Sequence, residues 1–74
     1  MIKVTSITGE GYNEDGTRNV KASLVADTVE EVAEATTGAN IDGLTENDVL
    51  TLGSTCLVAT GEFGILSSTG IWNF

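Results

Sequence analysis

Residues 53–74, Gly53-Ser-Thr-Cys-Leu-Val-Ala-Thr-Gly-Glu-Phe-Gly-Ile-Leu-Ser-Ser-Thr-Gly-Ile-Trp-Asn-Phe74, divide into three short apolar runs separated by glycine turns. Runs of this length, rich in β-branched and aromatic residues and punctuated by glycine, predict a β-meander rather than helices. The strands fall near Ser54 to Ala59, Glu62 to Leu66 and Ile71 to Phe74. Trp72 and Phe74, two residues apart, share one face of the last strand. The stretch holds the only Trp and both Phe residues. A domain with so few large side chains is expected to use Trp72 as its main core plug, ahead of its use as an exposed hot spot.

Working outward, the 74 residues make one domain, residues 1–74, which can bury only a modest share of its unfolded surface. Hydrophobic residues form 41% of the chain but aromatics only 5%, so Val, Ile, Leu and Ala must fill most of the core. Cys56 stands alone and there is no His. Neither an intramolecular disulfide nor a structural zinc site is therefore expected, which leaves oligomerisation as the staple for a small domain. Lys3, Arg18 and Lys21 face eleven acidic residues, for a net charge of −8. Such a surface repels phosphate backbones, and no apolar run is long enough to span a bilayer, so neither nucleic acid nor membrane is expected as a partner. The first residues lack a charged and apolar leader pattern, which points to the cytosol or an assembly built there.

Upstream, residues 1–8 read as a strand in which Ile2 and Val4 share a face while Ile7 falls on the other, with a bend near Ser6. Gly9 to Gly16 is expected as a long hairpin tip. In residues 18–27, Val20, Ala22, Leu24 and Ala26 alternate with Asn19, Lys21 and Ser23, interrupted on the polar side only by Val25. That is a strand with one buried face, antiparallel to the first. Asp27 or Thr28 caps a helix of two to three turns from Thr28 to Thr37, with Glu30 or Glu31 in a capping box and Gly38 as its left-handed end. Between Asn40 and Leu52 the pattern supports only a turn at Thr45 to Asp48 and a short strand at Val49 to Leu52. The fold expected is α+β: a small antiparallel sheet made of the N-terminal hairpin and the C-terminal meander, with one short helix.

Residues equipped for chemistry are few. The acids of Asn13 to Gly16 and Asp42 to Asp48 lack the spacing of a calcium loop, and Glu30, Glu31 and Glu34 read as surface charges on a helix. Cys56 has no His as base and no basic neighbour, and reads as a small buried hydrophobe. No catalytic residue, cofactor site or metal site is expected, and the chain reads as no enzyme. A small acidic ligand- or cation-binding domain using these turns is the alternative.

The ending Gly53-Ser-Thr-Cys-Leu-Val, followed by Phe63-Gly-Ile-Leu-Ser-Ser and closed by Gly70-Ile-Trp72, resembles the glycine-serine, strand, turn, glycine-x-tryptophan ending of many small tailed-phage and prophage virion proteins. The resemblance covers the last third of the chain and implies a head-associated structural or protein-interaction module, in the virion or the host cytoplasm. It brings no catalytic residues with it. The partner it implies is a larger phage structural protein, or a second copy. The final strand would offer an open sheet edge, which makes Ile71, Trp72 and Phe74 the candidate interface.

Overall fold

The computed structural model describes residues 1–68 and 70–74. Its elements run β1 (Ile2–Tyr12), β2 (Arg18–Ala26), α1 (Val29–Val32), β3 (Ile41–Asp42), β4 (Asp48–Leu50), β5 (Thr55–Val58), β6 (Phe63–Leu66) and β7 (Trp72–Asn73). The strands form one mixed sheet in the order β3-β1-β2-β5-β6-β7, with β4 also paired to β2. The domain is β-dominated, and α+β describes it only loosely because the helix is a single turn.

The hairpin and the meander are as the alternation requires: β1–β2, β5–β6 and β6–β7 are all antiparallel. They join differently from the expected antiparallel sheet. β5 lies parallel to β2, and β3 and β4 run parallel to β1 and β2 respectively. The cause is the long segment between β2 and β5, which carries the chain back to the start of the sheet so that β5 enters in the direction of β2. Parallel neighbours need such a crossover, and its presence cannot be read from strand periodicity.

β1 explains its own broken alternation. Val4 pairs with Leu24 but Ser6 with Ser23, which leaves Thr5 as an extra residue in a bulge. The Thr5 hydroxyl donates to the Ser23 carbonyl at 3.0 Å. One inserted residue reverses the side-chain phase, so Ile7, opposite Ala22, returns to the face of Ile2 and Val4. The strand then runs on to Tyr12, through a second irregularity between Gly9 and Tyr12 where Gly11 takes φ +106°. The hairpin tip is therefore shorter than expected. It is closed by Asn13 N–H donating to the Thr17 carbonyl at 2.8 Å and by Asp15 accepting from the Thr17 amide and hydroxyl.

The helix starts where its cap signals place it. Thr28 is extended, and its hydroxyl accepts from the Glu31 amide at 3.3 Å. It stops after Val32 rather than near Thr37, because tertiary partners claim the backbone beyond. The Ala35 carbonyl accepts from the Trp72 indole, the Thr36 carbonyl accepts from the Leu50 amide, and the Gly38 amide donates to the Asp48 carbonyl. Thr37 bridges to Val49. Gly38 is accordingly no left-handed helix end. It is buried where a Cβ would lie 2.3 Å from the Thr45 carbonyl oxygen.

The core lies on one face of the sheet: Val20, Ala22, Leu24 and Ala26 from β2, Cys56 and Val58 from β5, Leu66, Trp72, and Val32 from α1. Ser54 is fully buried, and its hydroxyl accepts from the Ala22 amide at 3.1 Å, satisfying that donor beside the junction of β2 with β5. At the far end of β2, Arg18 Nε donates to Asp48 Oδ1 at 3.0 Å while the Thr45 amide donates to Oδ2 at 3.0 Å. The turn predicted from Thr45 to Asp48 is thus tied to the sheet.

Candidate interaction surface

A sheet with one core face has a second face, and here the register fixes what that face carries. Lys3, Val25, Leu57 and Phe63 are consecutive partners across β1, β2, β5 and β6, and they form one row. The next row is Ser23, Thr55, Ile65 and Asn73. The third follows from the Gly53 amide bond to Leu66 and the Ser67 amide bond to Ile71, placing Lys21, Gly53, Ser67 and Ile71 together. Val25, Leu57, Phe63, Ile65 and Ile71 are 36% to 60% exposed. No described segment of the chain covers them. Val25, the residue that broke the polar side of β2 in the sequence, is the first member of this patch.

The patch extends into a shallow depression of about 450 Å³ at the ends of β2 and β5, lined by Val25, Ala26, Asp27, Leu57, Val58 and Ala59 with Met1 and Gly61. Its lining is mainly apolar, and its charged groups, Asp27 and the Met1 amine, are paired with each other, so few polar groups remain to orient a small ligand.

Charge is distributed unevenly between the two faces. Lys3 and Lys21 both stand in the outer rows, and neither is in an ion pair among the described residues. Asp42 lies beyond Lys3 on β3, and Asp27, paired with the Met1 amine, stands beside Val25 at the depression. Glu30, Glu31 and Glu34 line a separate hollow beside α1. Glu31 has its carboxylate occupied by the Met1 amine and the Thr28 hydroxyl, and the amine holds it below the usual range. Among the described residues, no group of three or more His, Cys, Asp or Glu is placed to hold a metal ion.

The three candidate interface residues part company. Trp72 is only 6% exposed and donates Nε1–H to the Ala35 carbonyl at 2.7 Å, as the core reading of it requires. Phe74 is 44% exposed and lies on the core side, its ring stacked on Trp72 with centroids 6.3 Å apart and seated over Gly64. Ile71 alone points to the outer face. The sequence reading placed Val25 on the polar side of its strand but missed Leu57, Phe63 and Ile65 as surface residues. Their signal was present, since each occupies the strand phase opposite the core residues, and apolar residues in both phases mark a sheet that buries two faces.

Cys56 is fully buried, and desolvation pushes its thiol above the ordinary value, with the Glu31 carboxylate adding to the shift. It is packed as a hydrophobe. No helix among the described residues is long and apolar enough to cross a membrane. No family model, no curated protein and no solved structure matches the chain.

Proposed function

We propose that this chain is a non-enzymatic structural or protein-interaction module that works by burying the outer face of its sheet against protein, in the manner of the small tailed-phage virion proteins its ending resembles. One observation carries the reading: five large apolar side chains, Val25, Leu57, Phe63, Ile65 and Ile71, stand together on a face that the described residues leave uncovered. Contiguous exposed apolar side chains of this kind mark interaction sites. Their mixture of aliphatic residues with one aromatic, rimmed by Lys3, Lys21, Ser23 and Thr55, has the make-up of an interface centre with a polar surround.

The location that follows is a virion, head-associated, or the host cytoplasm before assembly. The test is incorporation. Expressed with an epitope tag in the phage or lysogen that carries the gene, the protein is expected in purified particles. A Leu57→Ser, Phe63→Ser double variant with an unchanged melting temperature is expected to remain in the lysate. Absence of the parent protein from particles overturns the virion assignment, and equal incorporation of the variant overturns the use of this face.

A further inference from the structure

We infer that the outer edge of β1, between Thr5 and Tyr12, takes up an extended, basic segment of a partner protein as an added strand. This is a second surface, independent of the apolar sheet face. The sequence points to an open edge at β7, but β7 is only two residues long, and the long open edge lies on the other side of the sheet. β3 covers β1 only at Ile2 and Lys3, and the chain then turns away after Asp42, where Gly43 takes φ +97°. From Thr5 onward β1 has one neighbour, β2. The direction of its free groups follows from β2. The Ala22 amide donates to Ser54 and the Val20 carbonyl accepts from the Thr51 amide, both on the side away from β1. The Ser23 carbonyl, by contrast, faces β1 and accepts from the Thr5 hydroxyl. Successive residues of an antiparallel pair turn their backbone groups alternately toward and away from the neighbour. Ile7 and Gly9, opposite Ala22 and Val20, therefore turn both N–H and C=O away from β2. Beyond the strand ladders, no backbone bond reaches residues 5–12 among the described residues.

The chemistry of this edge says what it holds. Outward donors and acceptors on alternate residues are complemented by an extended backbone lying about 4.8 Å away. Space for that backbone is open, since a Cβ at Gly9 or Gly11 would meet nothing within 4 Å. The usual guards of an edge are charge, proline and bulges. Residues 4–9, Val-Thr-Ser-Ile-Thr-Gly, hold neither charge nor proline, and the irregularities between Val4 and Ser6 and between Gly9 and Tyr12 bracket the outward groups of Ile7 and Gly9. The brackets limit the added strand to a short one, which favours a defined segment over open-ended stacking. Ile7, 42% exposed, makes one position of that segment apolar, because a cross-strand neighbour would cover it. Charge sets the rest. Glu10, Glu14 and Asp15 follow toward the hairpin tip, exposed and without a cationic partner among the described residues. A segment with Lys or Arg at that end is attracted, whereas a second copy of a chain with net charge −8 is repelled.

Amide-resolved nuclear magnetic resonance on the full chain tests this. In the free protein the Ile7 and Gly9 amides are expected to exchange with solvent much faster than that of Thr8, which faces β2. The probes are short synthetic peptides of alternating valine and threonine with lysines at one terminus or the other, since parallel and antiparallel strands bring opposite ends to Glu10. One of the two is expected to bind with a dissociation constant below about 1 mM. At saturation it should slow exchange at Ile7 and Gly9 by about tenfold or more, and raised salt should weaken it. The same peptide N-methylated throughout its valine-threonine run keeps its side chains, loses its backbone donors, and is expected to bind about tenfold more weakly or worse. Gly9→Pro removes one outward donor where a Cβ is unobstructed, and is expected to weaken binding severalfold while the protein stays folded. No binding by either peptide up to millimolar concentration overturns the inference, as does binding that leaves the Ile7 and Gly9 amides unprotected. Equal binding by both lysine peptides, or by versions ended in glutamate, overturns the placement of basic residues beside Glu10. Protection of Ile7 and Gly9 in concentrated protein alone also overturns it, giving the edge to a second copy. Peptide contacts confined to Leu57 and Phe63 overturn the edge and move recognition to the apolar face.

Discussion

The indole N–H of Trp72 donates to the carbonyl of Ala35 at 2.7 Å, joining the last strand to the segment that follows α1. Trp72 thus fills the core with its ring and also satisfies a carbonyl that the truncated helix leaves without an intrahelical donor. Trp72→Ala is expected to destabilise the protein by about 3–5 kcal/mol, a large part of the stability of a domain this size. Trp72→Phe keeps an aromatic ring but orphans the Ala35 carbonyl, and is expected to cost about 1–3 kcal/mol. Urea denaturation followed by far-ultraviolet circular dichroism gives both values. Loss of stability only in the alanine variant would mean that the hydrogen bond adds nothing to the packing.

Trp72 and Ala35 also mark where the sequence stops being legible. The strands β1, β2, β5 and β6 follow from local alternation, and the helix start follows from the Thr28 cap, because those signals lie within a few residues of what they specify. The helix end did not follow. Residues 33–37 have adequate helical pattern, and only the remote partners Trp72, Leu50 and Val49 decide otherwise. β3 is two residues long and exists only because β1 passes beside it, so it has no periodicity to detect. The parallel entry of β5 is likewise set by the crossover. For the interaction surface, the phase of Val25, Leu57, Phe63 and Ile65 was readable, whereas their exposure depends on the absence of a covering layer, which is a property of the whole fold.

Asp48 gives the fold an acid-sensitive point. Its carboxyl is held below the usual carboxylate range, first by the Thr45 amide N–H and then by Arg18, against the opposing effect of burial. A depressed folded value means that the stabilisation is fully present above the unfolded carboxylate value of about 3.9. It is lost as the pH falls through the lower, folded value. Asp48→Asn is expected to cost about 1–3 kcal/mol at neutral pH, since the Asp48 side chain is 7% exposed but Arg18 is one-third open to solvent. The variant should also flatten the acid limb of a plot of urea midpoint against pH. Some slope remains, because Asp15 is held down in the same direction by the Thr17 hydroxyl. An unchanged acid limb would show that the Asp48 charge does not couple to folding.

Cys56 supplies an internal reporter of opening. The side chain is fully buried in β5 and its thiol is pushed up by desolvation, so both access and thiolate fraction are low in the folded state. A chromogenic disulfide reagent at mildly alkaline pH is expected to react only as fast as the sheet opens, and rapidly once denaturant unfolds the chain. Trp72→Ala, by lowering stability, should accelerate labelling in proportion to the rise in the open population. Rapid labelling of the native parent would contradict the burial of β5.

Gly64 and Phe74 form a pair whose coupling can be measured. A Cβ at Gly64 would lie 2.5 Å from Cε1 of Phe74, because the ring is seated over the bare backbone of β6. Gly64 is not in the left-handed region, so alanine suits its backbone and would by itself gain about 0.5–1 kcal/mol in a strand. The ring decides the sign. With Phe74 present, Gly64→Ala must push the ring away from β6 and off the face of Trp72, and is expected to destabilise by about 1 kcal/mol, a modest value because Phe74 is partly exposed and can yield. In a Phe74→Ala background the same change meets no ring, and should be neutral or stabilising. The double-mutant cycle is therefore expected to show an interaction energy of about 1–2 kcal/mol. Additive effects would mean that Phe74 does not rest on Gly64 in solution. In that case the ring would be free to serve the edge of β7, as the sequence reading of Phe74 as an interface residue requires.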